Sequence, residues 1–302
     1  MNQDFLLFGT AAEDTVRCMA VITTNLVNEA MRRHQTAPTA TAALGRALTG
    51  ALLLGASVKE LDRLTVQING DGPLGQITAE ANAQGQVRGY AHNSETDLPL
   101  NEFGKFDVQG AVGHGMFYVM RESGYEMGLH KEPYRSSAPL VSGEIAEDFA
   151  YYLALSEQTP SAVLLGVQIG RPGESQETLV TAAGGLMIQM MPGAEDNIIA
   201  ELESAIQKLP QTTELIRAGA TPEDLITAVL SPRPFNKLGE MEVNFACTCS
   251  FKRAESIIAA LPRTEAESML AEDGGARFIC HFCNENYFLG PDTFGKILNA
   301  TT

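Results

Sequence analysis

The sequence predicts an α+β protein: a mixed N-terminal body with mainly antiparallel sheets, a helical linker and a small C-terminal module. Three observations carry this. Alternating apolar runs follow one another across turns between residues 64 and 92. An amphipathic stretch, 194–230, stops at Ser231-Pro232-Arg233-Pro234. Beyond that break lie four of the five cysteines, Cys247, Cys249, Cys280 and Cys283. The boundaries read from these features are 1–193 for the body, 194–234 for the linker and 235–302 for the module.

The elements follow in order. Residues 14–34 begin apolar and turn helical, with Leu26, Ala30 and Met31 on one face and Glu29, Arg32 and Arg33 on the other. Ala37-Pro38-Thr39 restarts the chain into a helix from Thr41 to Val58. Its Gly45, Gly50 and Gly55 cost helix stability, so close packing is expected there. Strands are predicted at Leu64 to Ile68, Gly75 to Ala81 and Val87 to His92, with turns at Asn69 to Pro73 and Gln84-Gly85. Met116 to Met120 and Tyr125 to His130 read as a hairpin around Ser123-Gly124. A helix starts at Ser142-Gly143-Glu144 and runs to about Leu155, burying Ile145, Phe149, Tyr152 and Leu153. Val163 to Ile169 and Leu179 to Met191 are apolar strands separated by Arg171-Pro172-Gly173-Glu174. The methionines of the second (Met187, Met190, Met191) suit a buried strand better than an adaptable surface. In the linker, Ile198, Ile199, Leu202, Ala205, Ile206 and Leu209 share a face. A second helix starts where Thr221 caps and Pro222 takes the first helical position.

Size and charge narrow the function. A chain of 302 residues with 44% hydrophobic and 19% charged residues is globular. No apolar run reaches the length of about eighteen residues that a membrane helix needs, and Arg46 interrupts the most apolar helix. Met1-Asn2-Gln3-Asp4-Phe5 lacks a basic leader, which predicts a cytoplasmic chain with reduced thiols. Net charge is −16. Only −2 falls from residue 233 onward, where seven Lys and Arg face nine Asp and Glu, so the body carries −14. A body this acidic repels phosphate backbones, and neither nucleic acid nor a membrane is expected as a partner.

The module concentrates the chemistry. C-x-C at Cys247-Thr248-Cys249 and C-x-x-C at Cys280-His281-Phe282-Cys283 are separated by thirty residues. Two chelating pairs supply four soft sulfurs, a donor set that closes tetrahedrally on one Zn²⁺. The same thiols can be oxidised, so metal binding and redox switching are both open. Between the pairs, Ala254 to Leu261 and Thr264 to Ala271 read as helices, with a capping box of Thr264 and Glu267 and an exit at Gly274. Arg277-Phe278-Ile279 leads into the second pair and Tyr287-Phe288-Leu289 leads out, a zinc-knuckle arrangement. A module so small needs the metal for much of its stability. His281 is expected beside the ligands or exposed. His34, His92, His114 and His130 are scattered without metal-ligand spacing, and Cys18, in an apolar run, reads as a buried small hydrophobe. No catalytic constellation appears, and the chain is read as a non-enzyme. Gly70-Asp71-Gly72-Pro73-Leu74-Gly75 lacks the Lys and the setting of a phosphate loop and is read as a turn. A zinc-dependent thiol oxidoreductase and a zinc-ribbon nucleic-acid binder are the competing classes. The knuckle setting of the C-x-x-C argues against the first and the charge against the second.

The chain resembles the 33 kDa chaperonin family, heat-shock protein 33, over essentially its whole length. The resemblance rests on Pro38-Thr39-Ala40-Thr41-Ala42-Ala43-Leu44-Gly45-Arg46-Ala47, Gly70 to Gly75, Leu140-Val141-Ser142-Gly143-Glu144-Ile145-Ala146-Glu147-Asp148, Ser156-Glu157-Gln158-Thr159-Pro160-Ser161, Gly184-Gly185 through Pro192-Gly193-Ala194, and the cysteine ending. It implies an ATP-independent holdase, inactive as a reduced monomer with one zinc on Cys247, Cys249, Cys280 and Cys283. It also implies that oxidation joins Cys247 to Cys249 and Cys280 to Cys283, expels zinc and unfolds the module and linker. The exposed surface then binds unfolding proteins, the chain dimerises, and clients pass to ATP-driven foldases.

Overall fold

The computed structural model describes residues 3–59, 62–124, 132–170 and 179–300, and the chain divides into two compact units, Met1–Ala246 and Cys247–Thr302. The first unit runs β1 (Phe5–Ala11), β2 (Val16–Ile22), α1 (Thr24–His34), α2 (Pro38–Gly55), β3 (Arg63–Gly70), β4 (Gln76–Asn82), β5 (Gln86–Ala91), α3 (Val108–Val112), β6 (Gly115–Glu122), β7 (Tyr134–Pro139), α4 (Ala146–Ser156), β8 (Ser161–Ile169), β9 (Val180–Met190), α5 (Asp196–Lys208), α6 (Thr212–Arg217), α7 (Pro222–Leu230), β10 (Asn236–Glu242) and β11 (Asn244–Phe245). Its strands form two sheets among the described residues, ordered β10-β1-β2-β9-β8 and β11-β5-β4-β3-β6-β7. Their pairings are antiparallel except for the short parallel contact of β11 with β5. The α+β class with mainly antiparallel sheets is thus present.

Helix α2 is the centre of the body. It packs on β3, β4 and β5 of one sheet and on β8 and β9 of the other, which is why it is apolar all round rather than along one stripe. The three glycines sit where other elements press closest. A Cβ at Gly45 would fall 2.7 Å from Val27 and 2.8 Å from Val167, one at Gly55 2.9 Å from Ala81, and one at Gly50 closer still to the Phe149 ring. Arg46, the charge in this run, pairs with Glu144. No described helix is long and apolar enough to cross a membrane.

The other face of the first sheet is covered by the linker. Along β9, Ala183 and Met187 join the α2 core, whereas Leu186 and Ile188 face the linker cluster. β2 alternates likewise: Met19 and Val21 face α2, and Val16, Cys18, Ala20 and Ile22 face Leu225, Ile226, Val229 and Leu230 of α7 and Ile198 and Leu202 of α5. The methionine-rich run is therefore a buried strand, apart from exposed Met191 at its end. The cap of α7 forms as expected: Thr221 accepts from the Asp224 N–H, Asp224 accepts from the Thr221 N–H, and Pro222 opens the helix.

Several elements depart from expectation for local reasons. α2 begins at Pro38, before Thr41, because Pro38 takes the first turn and the Asp97 carboxylate accepts from the Thr39 N–H and hydroxyl. α4 begins at Ala146, after the expected Ser142. The fully buried Asp148 first gathers the N–H groups of Val141, Ser142, Gly143 and Ile145, and Ile145 is held at φ 74°. The sequence reading did not assign β1, α3, α6 or the helix α10 (Pro291–Ala300). β7 is the described neighbour of β6, and the expected strand Tyr125 to His130 lies outside the described residues, as does the expected turn at Arg171 to Glu174. Residues 236–245 extend the two sheets of the first unit as β10 and β11. The second compact unit consequently starts at Cys247, later than the expected 235.

The second unit contains α8 (Phe251–Ala259), α9 (Arg263–Asp273), β12 (Ala276–Ile279), β13 (Asn286–Leu289) and α10. Its core is small: Ala254, Ile258, Ala266, Ala276, Leu289 and Phe294. The expected capping box does not form, because α9 starts at Arg263 after Pro262 and Thr264 is already inside the helix. Gly274 ends α9 in the left-handed conformation, as expected.

Candidate metal centre

The four cysteines predicted as ligands converge. Cys247 and Cys249 lie on the extended segment entering α8, and Cys280 and Cys283 on the turn between β12 and β13. Pairing of Ala276 with Leu289 through Ile279 with Asn286 fixes that hairpin and aims its turn. The turn is closed by the Cys280 N–H donating to the Glu285 carbonyl at 2.9 Å and the Asn284 N–H donating to the Cys280 carbonyl at 2.7 Å, with Asn284 at φ 57°. All four sulfurs lie within 4.8 Å of one another. Cys247 Sγ is 3.7 Å from Cys280 Sγ, and Cys249 Sγ is 3.3 Å from Cys283 Sγ. A tetrahedral tetrathiolate with metal–sulfur bonds of about 2.3 Å has sulfur–sulfur edges of about 3.8 Å, so these distances suit a single small cation.

The surroundings also suit a cation. The Phe282 N–H donates to the Cys280 sulfur and the Glu285 N–H to the Cys283 sulfur, bonds that favour thiolates. Burial nonetheless pushes the Cys280 and Cys283 thiols up; the neighbouring sulfurs add to it at Cys283, whereas at Cys280 the Cys247 sulfur adds to it and the Cys283 contact opposes it. Four such sulfurs are accommodated as anions when a cation neutralises them, and the donor set fits zinc. Tyr287 contributes a contact that spacing did not reveal: its Oη lies 3.2 Å from Cys249 Sγ. In the sequence Tyr287 is only one member of the strand leaving the second pair. Its ring packs against the small core of the unit.

The remaining candidates separate from this centre. His281 is exposed on the turn, within its expected range of positions. Cys18 is fully buried in the cluster between β2 and the linker, and burial pushes its thiol up to about 12. His34, His92 and His114 join no cluster of metal-ligating groups among the described residues, and His130 lies outside them. Gly70 to Gly75 is the β3–β4 turn. α3 backbone carbonyls close against Gly70 and Gly72, and Asp71 accepts from the His114 N–H at 2.7 Å, leaving no cradle for phosphate.

Comparison with known proteins places this architecture. A family model described as Hsp33 protein matches residues 4–289. A 33 kDa chaperonin of Desulforamulus reducens is 44% identical over 296 residues, covering 98% of this chain and 97% of the relative. A 33 kDa chaperonin of Staphylococcus aureus is 42% identical over 301 residues, covering 99% of each. The crystal structure of a 33 kDa chaperonin from Thermotoga maritima matches with a TM-score of 0.87 at 35% identity, covering 99% of both chains.

Proposed function

Because the chain belongs to the Hsp33 protein family, a family of chaperones, we propose that it is a redox-regulated, ATP-independent holdase of the cytoplasm. One observation carries the redox part: four sulfurs gather within 4.8 Å in a unit whose core holds six buried apolar side chains. Cys247, Cys249, Cys280 and Cys283 would hold one Zn²⁺ per chain in the reduced, monomeric form. The ion supplies, when bound, the folding free energy that so small a core lacks.

Oxidation turns ligands into disulfides. A peroxide takes two electrons from each thiol pair, forming an S–S bond and water, and disulfide sulfurs are poor metal ligands. Cys247 with Cys280 and Cys249 with Cys283 are in close contact across the two motifs, yet the pairs we propose are Cys247 with Cys249 and Cys280 with Cys283. Once the unit loosens, residues two or three apart remain neighbours while the cross-motif pairs drift. The C-x-C ring is the more strained, so Cys280–Cys283 closes first.

The linker provides the readout. α5 and α7 cover an apolar sheet face containing Leu7, Val16, Ala20, Ile22, Leu186 and Ile188. Loss of the zinc unit destabilises residues 194–234 above it, and the uncovered face together with the freed linker binds unfolding proteins. The oxidised form dimerises, and reduction hands clients to ATP-driven foldases. The body before about residue 190 keeps its own core around α2. The acidic body holds the complex in solution.

The test is suppression of aggregation of a heat-unfolded protein by the reduced, zinc-loaded form and by peroxide-treated protein, with zinc release and hydrogen exchange followed in parallel. Activity should appear with zinc release and with fast exchange after about residue 194. Equal activity in the zinc-loaded reduced form, or full activity with uniform protection, would exclude the mechanism.

A further inference from the structure

We propose that Tyr287 is a positioning residue that holds back one sulfur of the centre, Cys249, and thereby adds to the lag of the Cys247–Cys249 pair behind Cys280–Cys283. The inference rests on the assignment of these four cysteines as zinc-holding, oxidisable thiolates, and deepens it. The Tyr287 Oη to Cys249 Sγ distance is 3.2 Å, a hydrogen bond to sulfur. A thiolate offers lone pairs and no proton, so in the reduced centre the phenol O–H donates. The donated proton draws electron density from the sulfur and occupies a lone pair that would otherwise attack an electrophile.

The phenol is held where it is. Tyr287 lies on β13, paired with Phe278 of β12, and its ring rests against the small core that includes Phe294 and Leu289. The Cys280 and Cys283 sulfurs receive backbone N–H groups of their own turn. A phenol O–H is a stronger acid and a stronger donor than an amide N–H. Cys249 is thus restrained by a side chain that substitution can change without touching the turn. Facing a peroxide, the restrained pair lags. The thiolate sulfur attacks the near peroxide oxygen, the O–O bond breaks and hydroxide leaves, taking a proton from solvent to become water and giving a sulfenic acid. The second thiolate of the pair then attacks that sulfur, the S–S bond forms, the S–O bond breaks and a second hydroxide leaves, protonated by solvent to water. The Cys247–Cys249 pair must draw on Cys249 in one of these two roles, whereas Cys280–Cys283 does not.

Tyr287→Phe keeps the ring and removes only the hydroxyl. The reduced, zinc-loaded full chain is treated with iodoacetamide and the modification of each cysteine is followed by peptide mass spectrometry. Cys249 should react about tenfold faster in the variant, the scale of one hydrogen bond to a charged group, with Cys280 and Cys283 unchanged. A general loosening would accelerate all four together and would overturn the proposal, as would an unchanged Cys249. This arm needs no disulfide chemistry, so it stands even if peroxide fails to switch the wild-type protein. In a second arm, partial oxidation by peroxide should show Cys247–Cys249 gaining on Cys280–Cys283 in the variant. Should Tyr287→Phe lose its zinc, 3-fluorotyrosine placed at 287 keeps the ring and strengthens the donor. Cys249 must then react more slowly than in wild type, and an equal or faster rate refutes the assignment.

Discussion

Cys18 is a built-in reporter of whether the linker leaves its sheet. It is fully buried between β2 and the α5–α7 cluster. Burial raises its thiol from 9.0 to about 12. At a fixed pH near 8 the folded protein therefore holds about a thousandfold less Cys18 thiolate than an unfolded chain, before steric protection is counted. In the proposed oxidised state the other four of the five cysteines are in disulfides, so a thiol reagent reads Cys18 alone. Labelling with iodoacetamide, quantified by mass spectrometry, should be at least about a thousandfold slower in reduced, zinc-loaded protein than in denatured protein. After oxidation and mild heating it should approach the denatured rate. An oxidised protein that suppresses aggregation while Cys18 stays as slow as in the reduced form would refute linker undocking as the activating event. Cys18→Ser should retain zinc content and oxidative activation, because this thiol packs and does no chemistry. The same group has a pH signature. Its folded pKa lies above the unfolded one, so the stability it contributes is complete below about pH 9. That contribution is lost as pH rises toward 12, by about 1.4 kcal/mol per pH unit.

Three further outcomes are expected. Leu225→Asp puts a carboxylate at a fully buried position of α7 against the sheet and should cost about 3 kcal/mol of linker docking. Aggregation suppression should then appear in the reduced protein with zinc still bound, and an inactive reduced variant would contradict the reading. Phe294→Ala removes the largest fully buried side chain of the second unit at a cost of about 3–5 kcal/mol, and should hasten zinc loss to a chelator while the melting transition of the first unit stays in place. Asp4 is buried where it accepts from the Leu26 N–H at 2.7 Å and the Asn25 N–H at 3.2 Å, and burial raises its carboxyl from 3.8 to about 6 against the pull of those bonds. Folding thus takes up a proton here. The stability it contributes is complete below about pH 3.8 and lost as pH rises through about 6. Asp4→Asn should flatten that part of the stability profile in denaturant titrations, and an unchanged profile would refute the assignment.

Several motifs that carry the family resemblance hold a particular backbone path. Asp148 serves four backbone donors, the Pro38-Thr39 start of α2 is met by Asp97, and the Gly70 to Gly75 turn is pressed by α3. Each is an arrangement in which one side chain or one missing Cβ permits a particular backbone path. Such positions can be identified in a sequence as unusual, but their partners cannot.

Much of the molecule follows from local rules. Cysteine spacing marks the candidate metal centre because two chelating pairs in a short module offer four sulfur donors to one ion. Period-two alternation marks β3, β4 and β5, and Thr221-Pro222 marks the start of α7, since these depend on residues a few positions apart. Tertiary contact decided the rest. β10 and β11 fall at the start of the expected module without a strand pattern, and only pairing with β1 and β5 makes them strands. α10 carried a readable signal in Gly290-Pro291-Asp292 with Phe294, Ile297 and Leu298 at helical spacing, yet its weight in the core became visible only with Phe294 fully enclosed. The linker's apolar face was legible as amphipathic, but not that it lies over β2 and β9 with Cys18 beneath it. Nor could spacing place the Tyr287 hydroxyl on Cys249 rather than in solvent. Periodicity and spacing report what a residue requires of its near neighbours, whereas long-range packing chooses the distant partner, and that choice is made by the whole chain at once.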